Sequence, residues 1–286
     1  MKKFLSAALA LVLSASVFGA CGLARQSGEI TVVSREDGSG TRGAFIELFG
    51  LQETLEDGSK RDMTYKEAII ASRTDIMMTT VANDVNAIGY ISLGSLNDTI
   101  KAVDIDGVGA NTENVKNDSY AISRPFNIAV KGAMTGLRKD FVEFILSAEG
   151  QAVVGKSYIS VDEEAEAYSG KTPSGKLTIA GSSSVSPLME KLVEEYITIN
   201  PNADIEIQTN DSSAGMTAAM NGTCDIGMAS RELKDSEKEA LTEITIAIDG
   251  IAVIVNNSNT ISNLTKAQVK EVFTGSLVDW SGLNEK

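Results

Sequence analysis

The 286-residue sequence contains no histidine at all. The side chain most often used as a general base near neutral pH, also the commonest transition-metal ligand, is therefore missing. Cysteine occurs twice, as Cys21 and Cys224, which excludes both a disulfide-stapled scaffold and a Cys-rich zinc site. Positive charge is in deficit, with 25 Lys and Arg against 39 Asp and Glu and a net charge of −14. A field of that sign repels nucleic acid and an anionic membrane surface, so an anionic ligand has to be held by a local arrangement of donors. With 43% hydrophobic residues, the chain has enough apolar side chain for one large domain or two of ordinary size.

Long apolar runs are scarce as well, and the one at the N-terminus has its own explanation. Lys2 and Lys3 precede an apolar stretch over residues 4–18, which closes on Gly19-Ala20-Cys21. This is the pattern of an export signal, and the stretch is too short to span a bilayer comfortably. A Cys directly after a small residue at that point resembles the lipobox of bacterial lipoproteins. Residues 1–20 are thus expected to be a signal peptide, with Cys21 as the site of lipid attachment. The mature chain is then exported and anchored to the outer face of the cell membrane as a lipoprotein. With Cys21 acylated, Cys224 has no disulfide partner and reads as a small buried apolar residue.

Beyond the signal, one unit recurs: a short apolar strand, a polar loop, a helix. Residues 29–33 form the first strand, residues 34–40 the loop, and a helix begins near Thr41. The spacing predicts a helix over 65–81, a short strand at 87–91, strands around Ile122 and Ile128, and a core helix carrying Phe141, Phe144 and Ile145. Residues 162–176 are polar, turn-rich and without an apolar period, and read as a linker. The unit then restarts with strand 177–180, loop 181–186 and a helix entered through Pro187, a residue suited to a first helical turn. A third copy has strand 205–207, loop 208–213 and helix 214–220, and the chain ends with a strand over 250–255 and a helix over 265–273.

Three of these loops share a composition: Ser182-Ser183-Ser184, Ser212-Ser213, and Ser39-Gly40-Thr41, each just before a helix. A helix N-terminus presents unpaired N–H groups and the positive end of the macrodipole, hydroxyls add donors, and glycine lets backbone approach closely. Any one such Ser is adequately explained as an N-cap. Three loops together with Arg35, whose planar fork of donors matches a tetrahedral oxyanion, point instead to an anion site. Gly38, Gly40 and Gly43 also satisfy the dinucleotide pattern G-x-G-x-x-G, but the first of them comes five positions after the last strand residue and an exported chain has little access to nicotinamide cofactors.

Five segments resemble the phosphate-binding proteins of phosphate ABC importers. They are Ala180-Gly-Ser-Ser-Ser-Val-Ser-Pro-Leu188, Asp225-Ile-Gly-Met-Ala-Ser-Arg-Glu-Leu233, Ser34-Arg-Glu-Asp-Gly-Ser-Gly-Thr-Arg-Gly-Ala-Phe45, Ala87-Ile-Gly-Tyr90 and Phe144-Ile-Leu-Ser-Ala-Glu-Gly150. The resemblance implies an α/β, two-lobed periplasmic-binding-protein fold of type II with a hinge crossover, and an anion held in the cleft. Carried over by position, the phosphate ligands are Arg35, Ser39, Gly40, Thr41, Ser183, Ser184 and Ser212, with Asp37 holding the Arg35 guanidinium. Where many members carry an Asp that accepts the proton of hydrogen phosphate, this chain has Ser230, which is included in the candidate site. The segment 72–76 lacks the glycines expected there.

The two halves stand in the reverse of the family order, and the last residues, 280–286, would run naturally into residues 27–30. That is the mark of a circular permutation, which is tolerated when the old termini are close and the new cut lies in an exposed loop. Residues 21–119 plus 257–286 are then expected to form a split lobe, and residues 120–256, linker included, a continuous one. The expected function is extracytoplasmic capture of inorganic phosphate and its delivery to ABC-importer permease subunits. No catalysis, metal, cofactor or nucleic acid is expected, and the chain is expected to be a monomer. Two other readings remain: binding of another tetrahedral oxyanion such as sulfate or molybdate, and a secreted hydrolase using one Ser-rich loop. The hydrolase would have to work without a His base and without a cluster of metal ligands at suitable spacing.

Overall fold

The computed structural model describes residues 26–284. The expected signal peptide, residues 1–20, and the expected lipid site Cys21 lie outside the described residues.

The first stretch contains β1 (Thr31–Arg35), α1 (Gly40–Leu48), the hairpin β2 (Gln52–Thr54) and β3 (Lys60–Asp62), β4 (Ile69–Ala71), α2 (Thr74–Ala82), β5 (Ala87–Ser92), β6 (Lys101–Ile105) and α3 (Thr112–Lys116). The middle contains β7 (Ser123–Val130), α4 (Gly136–Ile145), α5 (Ala148–Val154), β8 (Gly175–Ser182), α6 (Ser186–Ile199), β9 (Ala203–Asn210), α7 (Ser212–Asn221), β10 (Ile226–Ala229) and α8 (Asp235–Lys238). The chain closes with β11 (Thr242–Val255), β12 (Asn263–Leu264) and α9 (Lys266–Phe273). The helix expected over 65–81 begins only at Thr74. Its first part includes β4 instead, because the β-branched pair Ile69-Ile70 extends alongside β1 in parallel register, Val33 opposite Ile69.

A mixed sheet runs in the order β4-β1-β5-β11-β7-β10-β8-β9, with β6 and β12 attached through β11. The strand-loop-helix units give the parallel pairs β1 with β4 and β5, and β8 with β9 and β10. The long strand β11 joins the two groups: residues 242–250 pair with β7, and residues 251–255 pair with β5 and β6.

The buried apolar residues follow this division. One core gathers Val33, Phe45, Met77, Ile88, Tyr90, Val253, Val272, Phe273 and Trp280. The other gathers Phe126, Ile128, Phe141, Phe144, Ile179, Leu188, Leu192, Tyr196 and Ile226. In α4 and α6 these residues recur at three- and four-residue spacing, which turns one stripe of each helix onto the sheet. A smaller cluster under α7 includes Met216, Ala219 and Cys224; Cys224 is a buried free thiol. The fold is a two-lobed α/β architecture. Tyr120, Ile122 and Ile251–Val255, expected from the sequence in the continuous half, pack in the first core.

Between the cores, β7 and β11 carry a buried ion pair, Arg124 Nη2 to Asp249 Oδ2 at 3.0 Å. Ser92 on β5 donates to the same carboxylate at 3.0 Å. Burial opposes both charges: it pushes the Asp249 carboxyl up to about 6 and the Arg124 guanidinium down to about 10.

The two ends of the described residues meet in the first lobe. Ile30 N–H donates to the Val278 carbonyl at 2.8 Å, Trp280 N–H donates to the Gly28 carbonyl at 3.0 Å, and Trp280 is fully buried. Tyr168, within residues 162–176, and Tyr196 of α6 both donate their hydroxyls to Asp140 on α4, the Tyr196 bond being 2.6 Å. Lys171 N–H donates to the other Asp140 oxygen at 2.8 Å. Burial works against charge on Asp140, but these hydrogen bonds outweigh it and hold the carboxyl below the usual range. The linker is therefore a pinned segment despite its polar, patternless sequence.

Candidate functional site

Arg35 is the last residue of β1 and is 1% exposed. Its backbone is fixed from behind: Arg35 N–H donates to Tyr90 Oη at 3.1 Å, and Tyr90 Oη and Ser34 Oγ lie 2.9 Å apart. Tyr90 in turn stacks on Phe45 of α1 with ring centroids 3.9 Å apart. Gly89 beside it admits the α2 side, since a Cβ there would come within 2.4 Å of Met77 Sδ. The guanidinium donates through Nε and Nη2 to the two oxygens of Glu36, each at 2.7 Å. Two further donations reach out, Nη1 to Thr74 Oγ1 at 3.3 Å and Nη2 to Ser183 Oγ at 3.0 Å.

The expected partner of Arg35, Asp37, does not take that role. Asp37 sits in the turn before α1 with its side chain 97% exposed and pairs with Arg42 Nη1 at 3.2 Å. The longer Glu36 side chain folds back along the guanidinium plane and makes the fork-to-fork contact.

The other lobe supplies hydroxyls. Strand β8 delivers Ser182 and runs on into Ser183 and Ser184, and Ser230 follows directly on β10. Thr41 Oγ1 lies 2.8 Å from Ser184 Oγ and 3.4 Å from Ser230 Oγ. Ser182 Oγ donates to Ser230 Oγ at 3.0 Å, and Ser230 N–H donates to Ser212 Oγ at 3.2 Å. Thr74 Oγ1 is within 3.3 Å of Ser183 Oγ and 3.2 Å of Ser184 Oγ. Thr41, Ser212 and Ser230 are fully buried. Ser39 caps α1 by accepting from Arg42 N–H at 3.3 Å, whereas α7 is capped by Asp211, which leaves the Ser212 hydroxyl free to face the cluster.

Gly40 sits where the lobes come nearest. A Cβ at this position would lie 2.5 Å from Ser212 Oγ and 2.8 Å from Ser230 Oγ, both side chains of the opposite lobe. Ser213 N–H donates to the Gly38 carbonyl across the same boundary at 3.2 Å. All eight candidate residues, Arg35, Ser39, Gly40, Thr41, Ser183, Ser184, Ser212 and Ser230, thus come to one place.

The arrangement gathers groups able to donate hydrogen bonds to an oxyanion. It combines one permanent cation, several hydroxyls and the N-termini of α1, α2 and α7, which begin at Gly40, Thr74 and Ser212. The nearby carboxylate, Glu36, is committed to Arg35. Among the described residues, no group of three or more Cys, Asp and Glu side chains is placed to hold a metal ion.

Comparison with known proteins gives the family of the chain. The model of the PBP superfamily domain matches residues 8–149 and 166–285. The chain is 52% identical over 261 residues to phosphate-binding protein PstS 2 of Streptococcus agalactiae, covering 90% of this chain and 89% of that protein. It is 46% identical over 287 residues to PstS 2 of Streptococcus pneumoniae, covering 98% of each. A crystal structure of the phosphate-binding protein of a phosphate ABC transporter from Streptococcus pneumoniae superposes with a TM-score of 0.70 at 47% identity, covering 89% of this chain and 99% of that one. The chain belongs to the PstS-like phosphate-binding proteins of the PBP superfamily.

Three residues of this cluster do not stand out in the sequence. Thr74 lies in the segment lacking glycines, yet its hydroxyl precedes an apolar helix just as Thr41 does, and that is the signal that could find it. Ser182 belongs to the serine triplet, but its contact with Ser230 depends on the register of β8 against β10, Ile179 opposite Ile226. Glu36 is masked by its neighbour Asp37, an equally plausible carboxylate. Arg231, next to Ser230, is engaged with Glu237 through Nη1 at 2.8 Å and Nη2 at 2.9 Å.

Proposed function

We propose that this chain captures inorganic phosphate outside the cytoplasm and hands it to the permease of an ABC importer, its two lobes closing on the ion. The observation that carries this reading is the meeting of Arg35 and Thr41 from one lobe with Ser183 and Ser184 from the other. A ligand that replaces these direct contacts with its own oxygens links the lobes, and hinge closure becomes coupled to binding. Arg35, Ser39, Gly40, Thr41, Ser183, Ser184, Ser212 and Ser230 are the proposed ligands, and Thr74 joins them. The protein acts as a binding protein without catalysis, since a serine nucleophile here has no imidazole to deprotonate it.

The proposal extends to the order of the chain. The backbone bonds joining residues 28–30 to residues 278–280 support a ring reopened at that point, with the pinned 162–176 segment closing the family's usual termini. Export, lipid attachment at Cys21 and a monomeric state complete the reading.

A second tetrahedral anion stays in play for a specific reason. Ser230 stands where many family members carry a carboxylate, and a hydroxyl both donates and accepts. A site of this kind distinguishes hydrogen phosphate from sulfate less sharply than one with a fixed acceptor, because no unpaired negative charge faces sulfate. Calorimetry of the mature chain with phosphate, arsenate and sulfate tests both points. Phosphate and arsenate should bind, with sulfate competing weakly. No heat with phosphate would overturn the assignment, and no sulfate competition at about a ten-thousandfold excess, roughly 5.5 kcal/mol of discrimination, would overturn the role given to Ser230.

A further inference from the structure

Arg231 lies just past β10, next to Ser230, and its terminal nitrogens are committed within their own lobe. Nη1 donates to Glu237 Oε2 at 2.8 Å and to the Glu232 carbonyl at 2.9 Å, while Nη2 donates to Glu237 Oε1 at 2.9 Å and to Ser213 Oγ at 3.4 Å. Glu237 is itself buried, its side chain 5% exposed, and accepts from Lys234 N–H at 2.8 Å. Burial opposes its charge, but the hydrogen bonds from Arg231 and Lys234 outweigh it and hold the carboxyl below the usual range. The fork therefore fixes the direction of the side chain, and what Arg231 turns toward the other lobe is its aliphatic stem. That stem lies over α1: a Cβ on Gly40 would come within 3.1 Å of Arg231 Cγ, and one on Gly43 within 4.0 Å of Arg231 Cδ. Gly40 and Gly43 stand three residues apart, hence on one face of the helix. Ser213, which accepts from Arg231, also donates its own N–H to the Gly38 carbonyl of the first lobe at 3.2 Å.

We propose that Arg231 is a positioning residue for lobe closure: its stem, held by Glu237, is the surface on which the Gly40 and Gly43 face of α1 comes to rest. The proposal rests on the phosphate-capture reading, and Arg231 acts in it without touching the ion. Seating α1 there brings the Thr41 hydroxyl opposite Ser184 and Ser230, so the stem sets how far the helix N-terminus advances toward those hydroxyls. Glycine at both positions lets the backbone approach an arginine stem this closely, and a bulky side chain at either one holds the lobes apart. Because the contact exists only between closed lobes, it lengthens the life of the closed complex and leaves the encounter of phosphate with the open form unchanged.

The experiment is a rapid-mixing measurement of phosphate association and release on the full mature chain, for Arg231→Ala, Gly43→Leu and the double variant, with melting midpoints taken without phosphate. Arg231→Ala should speed release about tenfold or more, equal to 1.4 kcal/mol, with association within about threefold of the parent. Gly43→Leu drives a side chain into the stem from the opposite lobe and should speed release similarly. Its melting midpoint should hold or rise all the same, since Leu favours a helix more than Gly does. In the double variant the Leu has no stem to meet, so its additional effect should fall below about threefold. Release within threefold of the parent in Arg231→Ala or in Gly43→Leu would overturn the proposal. So would slower association with unchanged release, which would make Arg231 a steering charge, or a Leu effect of the same size with and without the Arg231 side chain. An unaltered chain that binds no phosphate would overturn the capture reading itself, and the proposal with it.

Discussion

The Arg35 guanidinium donates to the Ser183 hydroxyl at 3.0 Å although 148 positions of sequence separate the two residues. Each belongs to a different lobe, so this contact forms only when the lobes are closed. Replacing Arg35 with Ala removes the charge-assisted donors at that junction, and phosphate affinity should fall by on the order of 2–5 kcal/mol. Calorimetry checks this, alongside a melting curve to verify that the variant remains folded. Affinity within threefold of the parent would remove Arg35 from the site.

Gly40 gives a steric counterpart that leaves all charges in place. In Gly40→Ala the new methyl group meets Ser212 Oγ and Ser230 Oγ, and the lobes have to stay further apart. Overpacking of this kind costs roughly 1–3 kcal/mol. It should appear as a loss of phosphate affinity of about tenfold or more, with the unfolding midpoint almost unchanged, because α1 itself accepts Ala readily. A large fall in stability with unchanged affinity would contradict the placement of Gly40 at the interlobe contact.

The C-terminal segment should be indispensable to the first lobe. Phe273 packs edge-on against Phe45 with ring centroids 4.7 Å apart, and Val272 and Trp280 are fully buried in the same core. Deleting residues 257–286 should remove amide-exchange protection from residues 29–119, preserve it in residues 123–245, and abolish phosphate binding. Protection kept in 29–119 would mean that the halves fold independently.

Asp140 provides a test by pH. Its carboxyl is held below the usual range in the folded chain, whereas in the unfolded chain it titrates near the ordinary value of about 3.9. The unfolded state therefore binds more protons in this window. The stabilisation is fully present above about pH 4 to 5 and is lost as pH falls through the lower, folded value. Asp140→Asn should be less stable than the parent at pH 7, and the gap should narrow steadily below pH 4. Denaturant midpoints measure this, and a gap independent of pH would remove the role of the charge.

Much of this site is legible in the amino-acid sequence, for a physical reason. Ser39, Thr41, Ser183, Ser184 and Ser212 sit in loops that lead from strands into helices, and in an α/β fold such loops gather at one end of the sheet. The rest depends on tertiary register or on fine backbone direction. Glu36 and Asp37 are adjacent carboxylates, and only the turn geometry decides which of them faces Arg35. The passage from one lobe to the other falls at Asp249-Gly250 inside the 14-residue strand β11, where the partner changes from β7 to β5; with only 250–255 read as strand, that pair looks like a strand start, which hides the crossover. The order of 162–176 is hidden too, since its anchor, Asp140, lies on a helix whose pattern announces only a core-facing stripe.

The account stands most directly on where phosphate binds. A crystal structure of the chain grown with phosphate should show the ion between the lobes, within hydrogen-bonding distance of Arg35, Thr41 and Thr74 on one side and of Ser183, Ser184, Ser212 and Ser230 on the other. Phosphate held by one lobe alone, or at a place that none of these residues touches, would contradict it.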